Sequence, residues 1–115
     1  VWAAPWGDVT SLELVAQSRV VARAAIPGRP LVLGPEAGTL EEAEARALRW
    51  EGDLDFDMPP PPPPPAAIPG KPPPAPRPQW LLAVVKGERK MDDILPFMPI
   101  APLGFTNPIW IARSR

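Results

Sequence analysis

A chain of 115 residues can support one domain with a genuine hydrophobic core, and its formal charge of −1 gives no electrostatic reason to expect nucleic acid or an anionic membrane as a partner. It contains no cysteine and no histidine, which excludes disulfides, thiolate metal sites, the commonest general base near neutral pH and the commonest transition-metal ligand. Its 21 prolines are several times the usual share of about 5% and require an extended segment.

No apolar run approaches the roughly 20 residues needed to cross a bilayer, and the N-terminus lacks the regions of a signal peptide, so the chain is read as soluble with no membrane insertion. Because it starts at Val1, a processed chain or a piece of a longer one is expected.

In chain order, the first predicted element is a hairpin. Leu12, Leu14 and Ala16 alternate with other residues, and Val20, Ala22, Ala24 and Ile26 continue on even positions until Pro27-Gly28. Paired strands share a face, so setting Leu12, Leu14 and Ala16 opposite Ala24, Ala22 and Val20 requires a three-residue connection, Gln17-Ser18-Arg19. A two-residue loop would set Leu12 against Arg23 instead. Thr39 to Ala47 is the helical candidate, because Thr39 and Glu42 have capping-box spacing before a run of good helix formers.

From Leu48 to Met58 the even positions Leu48, Trp50, Leu54, Phe56 and Met58 are apolar, while Arg49, Glu51, Asp53, Asp55 and Asp57 are charged. This is the period of a half-buried strand with its acids in water, Gly52 marking a bulge or a break. Prolines then crowd Met58 to Gln79, with an unbroken run Pro59, Pro60, Pro61, Pro62, Pro63, Pro64, Pro65 and a second group around Pro72 to Pro78. Seven prolines favour polyproline II at about 3.1 Å per residue, a stiff arm of roughly 22 Å. The excursion 59–78 is read as a loop inside one domain spanning 1–115. Beyond it, Trp80 to Val85 is apolar on both faces and suits a central strand between layers, Lys86 to Lys90 a solvated turn, and Ile109 to Ile111 a last short strand.

Candidate chemistry is sparse. Asp53, Asp55 and Asp57 have the spacing that opens a calcium loop, but Met58 stands where the turn needs glycine and prolines occupy the later ligand positions, so a solvated strand face is expected. Ser11, Ser18, Thr39 and Ser114 lack a histidine partner, and Lys86 and Lys90 read as surface lysines, so no catalytic residue, cofactor or metal site is assigned. Trp2, Trp6, Trp50, Trp80 and Trp110 adjoin apolar segments and are expected to pack in the core or at a domain interface, with Trp2 and Trp6 as partner contacts. Pro59–Pro65 holds several Pro-x-x-Pro matches and Arg77 lies near the end of the proline-rich stretch, as a ligand for an aromatic groove requires; a spacer or a strap across a neighbouring subunit is the alternative.

The run Pro102-Leu103-Gly104-Phe105-Thr106-Asn107-Pro108-Ile109-Trp110-Ile111 resembles the C-terminal signature of metal-dependent hydrolases of the polymerase-and-histidinol-phosphatase superfamily, in the branch of carbaryl-hydrolase-like proteins. The family motif falls on Phe105, Thr106, Asn107, Pro108 and Ile109, with Gly104 in place of an alanine and Ala112 in place of an aspartate. Ala3 to Val9 with Leu12 to Val15 is similar to the opening of that family's C-terminal β-domain, Gln17-Ser18 standing where its hairpin often has Asn-Gly. Gln79 to Val84 is similar to a strand of the same domain, with Arg77 where an acid is usual. The resemblance covers about half of the chain. It implies an accessory β-sandwich appended to a hydrolase domain and slightly favours an extracytoplasmic location. That superfamily's metal ligands are histidines and acids of its barrel, and none carries over to a chain without histidine.

The expectation is therefore an all-β fold, an immunoglobulin-like antiparallel β-sandwich interrupted by the proline-rich loop. Its expected function is non-catalytic, packing on another protein domain or subunit, and oligomeric assembly is compatible with it. The alternative is a protein-interaction module with the proline tract as ligand. A carboxylate-based hydrolase is a third reading, which acids alone do not exclude.

Overall fold

The computed structural model describes residues 1–4, 6–30, 38–75, 77–92, 95–97 and 99–111. Among these, five strands form one antiparallel sheet and one short helix lies outside it, an all-β arrangement. The strands are β1 (Ser11–Ala16), β2 (Arg19–Ala25), β3 (Gln79–Lys86), β4 (Leu103–Phe105) and β5 (Ile109–Ile111). Their order across the sheet is β2-β1-β3-β4, with β5 also pairing with β3. Pro5, Pro76, Ala112 and Ser114 lie outside the described residues.

The hairpin forms in the expected register at its open end, where Leu12 faces Ala24 and Leu14 faces Ala22. At the closed end the expectation fails: Val15 faces Val20 and Ala16 faces Arg19, so the connection is only Gln17-Ser18. Both turn residues have positive φ, 49° and 66°, the requirement of a type I′ turn. An irregularity between Leu14 and Val15, opposite an extra residue at Val21, absorbs the one-residue difference. A two-residue loop and the Leu12–Ala24 pair thus coexist.

Helix α1 (Leu40–Ala47) begins at the capping box: the Glu42 amide donates to the Thr39 hydroxyl at 3.2 Å, and the Thr39 amide donates to the Glu42 carboxylate at 2.9 Å. None of its residues is buried, so local capping and propensity carry it more than packing does.

The segment 48–58 corrects the strand expectation. It makes a single bridge, Leu48 with Trp2, and no ladder. Leu54, Phe56 and Met58 are nevertheless half-buried while Asp53, Asp55 and Asp57 are exposed, so the alternation survives in an extended chain without strand partners. It breaks at Arg49, which is buried. The Arg49 amide and its Nη2 donate to the Val1 and Ala4 carbonyls at 2.9 and 2.8 Å, tying this segment to the N-terminal residues.

β3 is central, flanked by β1 and by β4 and β5. Lys86, expected in a turn, is its last residue. The following turn is bound to the chain start: Glu88 and Arg89 amides donate to the Asp8 carboxylate at 3.1 and 2.8 Å. Gly87 sits so close to residue 8 that a Cβ there would overlap the Asp8 carbonyl, which restricts the position to glycine.

Among the described residues five apolar ones are buried, Val9, Leu12, Ala16, Ile26 and Leu81, and none is a large side chain fully removed from water. The exposed surface is 8743 Å², against about 6,200 Å² for a compact monomer of this mass. The radius of gyration is 19.7 Å, where about 13 Å is ordinary for this length. Much of the chain's apolar surface thus remains available.

Candidate interaction surface

Ladder pairs share a face and neighbours along a strand alternate, so the register assigns every side chain of the sheet. One face carries the rows Ala24–Leu12–Val85–Gly104, Ala22–Leu14–Ala83 and Ala16–Leu81–Ile109, with Gln79 and Ile111 at one end. The other carries Arg23–Glu13–Val84–Phe105, Val20–Val15–Leu82 and Trp80–Trp110, with Lys86 and Leu103.

The first face carries aliphatic and small residues, with no aromatic side chain, and is covered by other parts of the chain. Val1, Ala3, Trp50 and Leu54 pack on the cluster of Val9, Leu12 and Ile26. The cover is incomplete: a groove of about 550 Å³ opens over Leu12, Ala83, Val85 and Gly104, walled by Trp2 and Trp50 and bordered by the edge strand β4. Trp2 stands on its rim, 64% exposed, whereas Trp6 lies apart and exposed in the bend after Ala4. Of the five tryptophans Trp50 packs against the core cluster, and Trp2, Trp6 and Trp110 are exposed, outside the core.

The second face holds the large side chains. Phe105 is 73% exposed and Trp110 62%, and Leu103 and Val20 are also exposed; Trp80, Leu82, Val84 and Val15 beside them are half-buried. At one end the Glu13 carboxylate lies 2.7 Å from Lys86 Nζ and 3.2 Å from Arg23 Nε. The Lys86 hydrogen bond holds Glu13 below the usual carboxylate range, burial opposes it, and the Lys86 and Arg23 charges add to the lowering. These charges occupy one end of the β2–β1–β3 side and leave the Trp80–Trp110–Phe105 side apolar.

Thr106, Asn107 and Pro108, within the run that carries the resemblance, form the break between β4 and β5. The residue sums of the β3–β4 and β3–β5 pairs differ by one, 84 with 105 against 80 with 110, so Thr106, Asn107 and Pro108 accommodate one extra residue. Thr106 bridges the break twice: its amide donates to the Ala83 carbonyl at 3.0 Å, and its hydroxyl accepts from the Ala83 amide at 3.1 Å. Pro108 has no amide to offer a ladder. The motif residues do structural work here, with Phe105 and Ile109 exposed on either side.

Pro59–Pro65 does not begin as a free arm. The buried Gln79 side chain donates to the Pro59 carbonyl at 2.8 Å. Pro59 to Pro63 line a recess with Gln17 and Arg19 at the hairpin turn, and Pro61, Pro62 and Pro64 line another of about 370 Å³ with Arg77, Gln79 and Ile111. The tract therefore crosses the lower end of its own sheet before the exposed stretch 63–73 projects. The chain reverses at Ile68-Pro69-Gly70-Lys71, where the Lys71 amide donates to the Ile68 carbonyl at 3.1 Å and Gly70 has φ 80°, as a type II turn requires.

Among the described residues, no three acids stand together as a metal site, and no helix is long and apolar enough to cross a membrane. Ser11 lies in β1, Ser18 in the I′ turn, Thr39 at the helix cap, and Lys90 is exposed; the structure brings none of them together. Sequence reasoning missed Arg49: burial, with Arg29 nearby, lowers its pKa and Asp8 opposes that, while its Nε has no hydrogen-bond partner among the described residues. An arginine at the head of an otherwise acidic set of odd positions was its one sequence signal. Compared with protein-family models, curated proteins and solved structures, the chain matches none of them.

Proposed function

We propose that this chain is a non-catalytic accessory β-domain that packs on a larger protein through the open face of its sheet. The carrying observation is that the aromatic side chains of the sheet, Trp80, Trp110 and Phe105, share the face on which the charged row leaves one side apolar. Exposed apolar patches of this kind mark interaction sites more than monomer surface. In this reading the partner supplies the second layer, and the immunoglobulin-like sandwich is completed across the interface. The resemblance at Phe105 to Ile109 supports a metal-dependent hydrolase as the larger protein, with the catalytic groups on that partner.

Oxidative footprinting tests the reading. In the native assembly Trp110 and Phe105 are expected to be protected at least several-fold relative to the isolated chain, while Trp6 is unchanged; equal labelling in both states refutes it. The isolated chain is also expected to retain no stoichiometric zinc or manganese after dialysis, measured by elemental analysis, since without histidine and cysteine no strong donor set forms.

A further inference from the structure

A polyproline II helix has three residues per turn and so presents three ridges. In this tract they are Pro59–Pro62–Pro65, Pro60–Pro63 and Pro61–Pro64. Consecutive prolines, none of them with a cis bond, hold this conformation without internal hydrogen bonds. Pro59 and Pro62 are half-buried, and Pro60, Pro61, Pro63 and Pro64 are exposed, as is Pro65 at the far end of the first ridge. One ridge is turned to the protein, with the Pro59 carbonyl held by Gln79 at 2.8 Å. The other two are exposed at every proline, while one flank of each borders a recess against the sheet end.

We propose that these two outward ridges are a ligand for a separate domain with an aromatic-lined groove, and that Arg77 supplies a flanking charge to an acidic wall of that groove. Such domains read prolines three residues apart on a preformed polyproline helix. Each free ridge offers one such pair, Pro60 with Pro63 and Pro61 with Pro64, about 9 Å apart along the axis. A docked domain can grip both while the third ridge stays on the sheet, so binding does not require the strap to lift. Arg77 is exposed and shares its recess with Pro61 and Pro64, which places the cation beside one of the free ridges. Because the tract is already held and stiff, docking loses little chain entropy. The open sheet face takes no part, so this inference stands apart from the packing reading.

The test titrates the full chain with isolated SH3, WW and EVH1 domains by calorimetry, with circular dichroism to verify folding of each variant. The native chain binds at least one of the three saturably. P60A/P63A and P61A/P64A each weaken that binding about tenfold or more, corresponding to about 1.4 kcal/mol. P59A/P62A changes it by less than about twofold while lowering the thermal midpoint, because that ridge serves the fold. Arg77→Glu weakens binding and flattens its salt dependence. No saturable binding to any of the three domains overturns the proposal, as does equal loss from all three proline pairs or binding only to another copy of this chain.

Discussion

The two faces of the sheet differ in kind, because the aromatic side chains of its strands all lie on the open one. The face the chain itself covers is lined by Ala16, Ala22, Ala24, Ala83 and Gly104, with Leu12, Leu14, Leu81, Val85, Ile109 and Ile111 as its aliphatic bulk. The open face carries Trp80, Trp110, Phe105, Leu82 and Val84. Stability of the isolated chain should therefore depend on the first and association on the second. The largest expected effect comes from Leu12→Ala, a residue 6% exposed in a core of few members, at about 2–5 kcal/mol in chemical unfolding. Phe105→Ala, on the open face, should cost less than about 0.5 kcal/mol in the same assay although it deletes the larger side chain. Similar losses from both would abolish the distinction between the faces.

A smaller effect is expected where the faces meet the edge. Thr106 spans the break between β4 and β5 by accepting from the Ala83 amide, and Thr106→Val keeps the shape and removes the acceptor. A loss of about 1 kcal/mol is expected, with faster hydrogen exchange at the Ala83 amide as the local signature. Unchanged exchange there would mean that the hydroxyl is dispensable to the edge.

The turn at the other edge offers a gain. Ser18 has φ 66°, a region that favours glycine, so Ser18→Gly should raise stability by about 1 kcal/mol in thermal unfolding. No gain would imply that the unfolded chain benefits equally from the added freedom.

These contrasts also mark what was legible in the sequence. Alternation placed Leu12 opposite Ala24 and Leu14 opposite Ala22, because burial on one side imposes the period, while a continuous apolar run marked the central strand and Asn107-Pro108 the start of Ile109–Ile111. It could not find the Val21 bulge, since one extra residue leaves no mark once Gln17 and Ser18 adopt positive φ without glycine. The segment 48–58 has the period of a strand, yet a ladder needs a neighbouring backbone, and its one bridge is to Trp2. β4 was missed because three residues around Gly104 carry no period. The proline tract was recognised as polyproline, but its contact with the sheet depends on Gln79, 20 residues away from Pro59.

The smallest effect concerns the charged end of the open face. Glu13 on β1 lies between Lys86 on β3 and Arg23 on β2, and the Lys86 hydrogen bond is the main reason that its pKa falls below the ordinary glutamate value of about 4.3. A carboxylate with a depressed folded pKa binds fewer protons folded than unfolded. Its contribution is therefore complete above the unfolded pKa and is lost as pH falls through the folded one. Melting temperature should decline with acid more steeply in the native chain than in Glu13→Gln, and the divergence should begin near the ordinary glutamate pKa. The pair is partly solvated through Arg23 and Lys86, so added salt should narrow the difference. Parallel acid profiles for the two proteins would show that Lys86 and Arg23 hold the carboxylate no better than water does, and that the open face owes its polarity at that end to exposure alone.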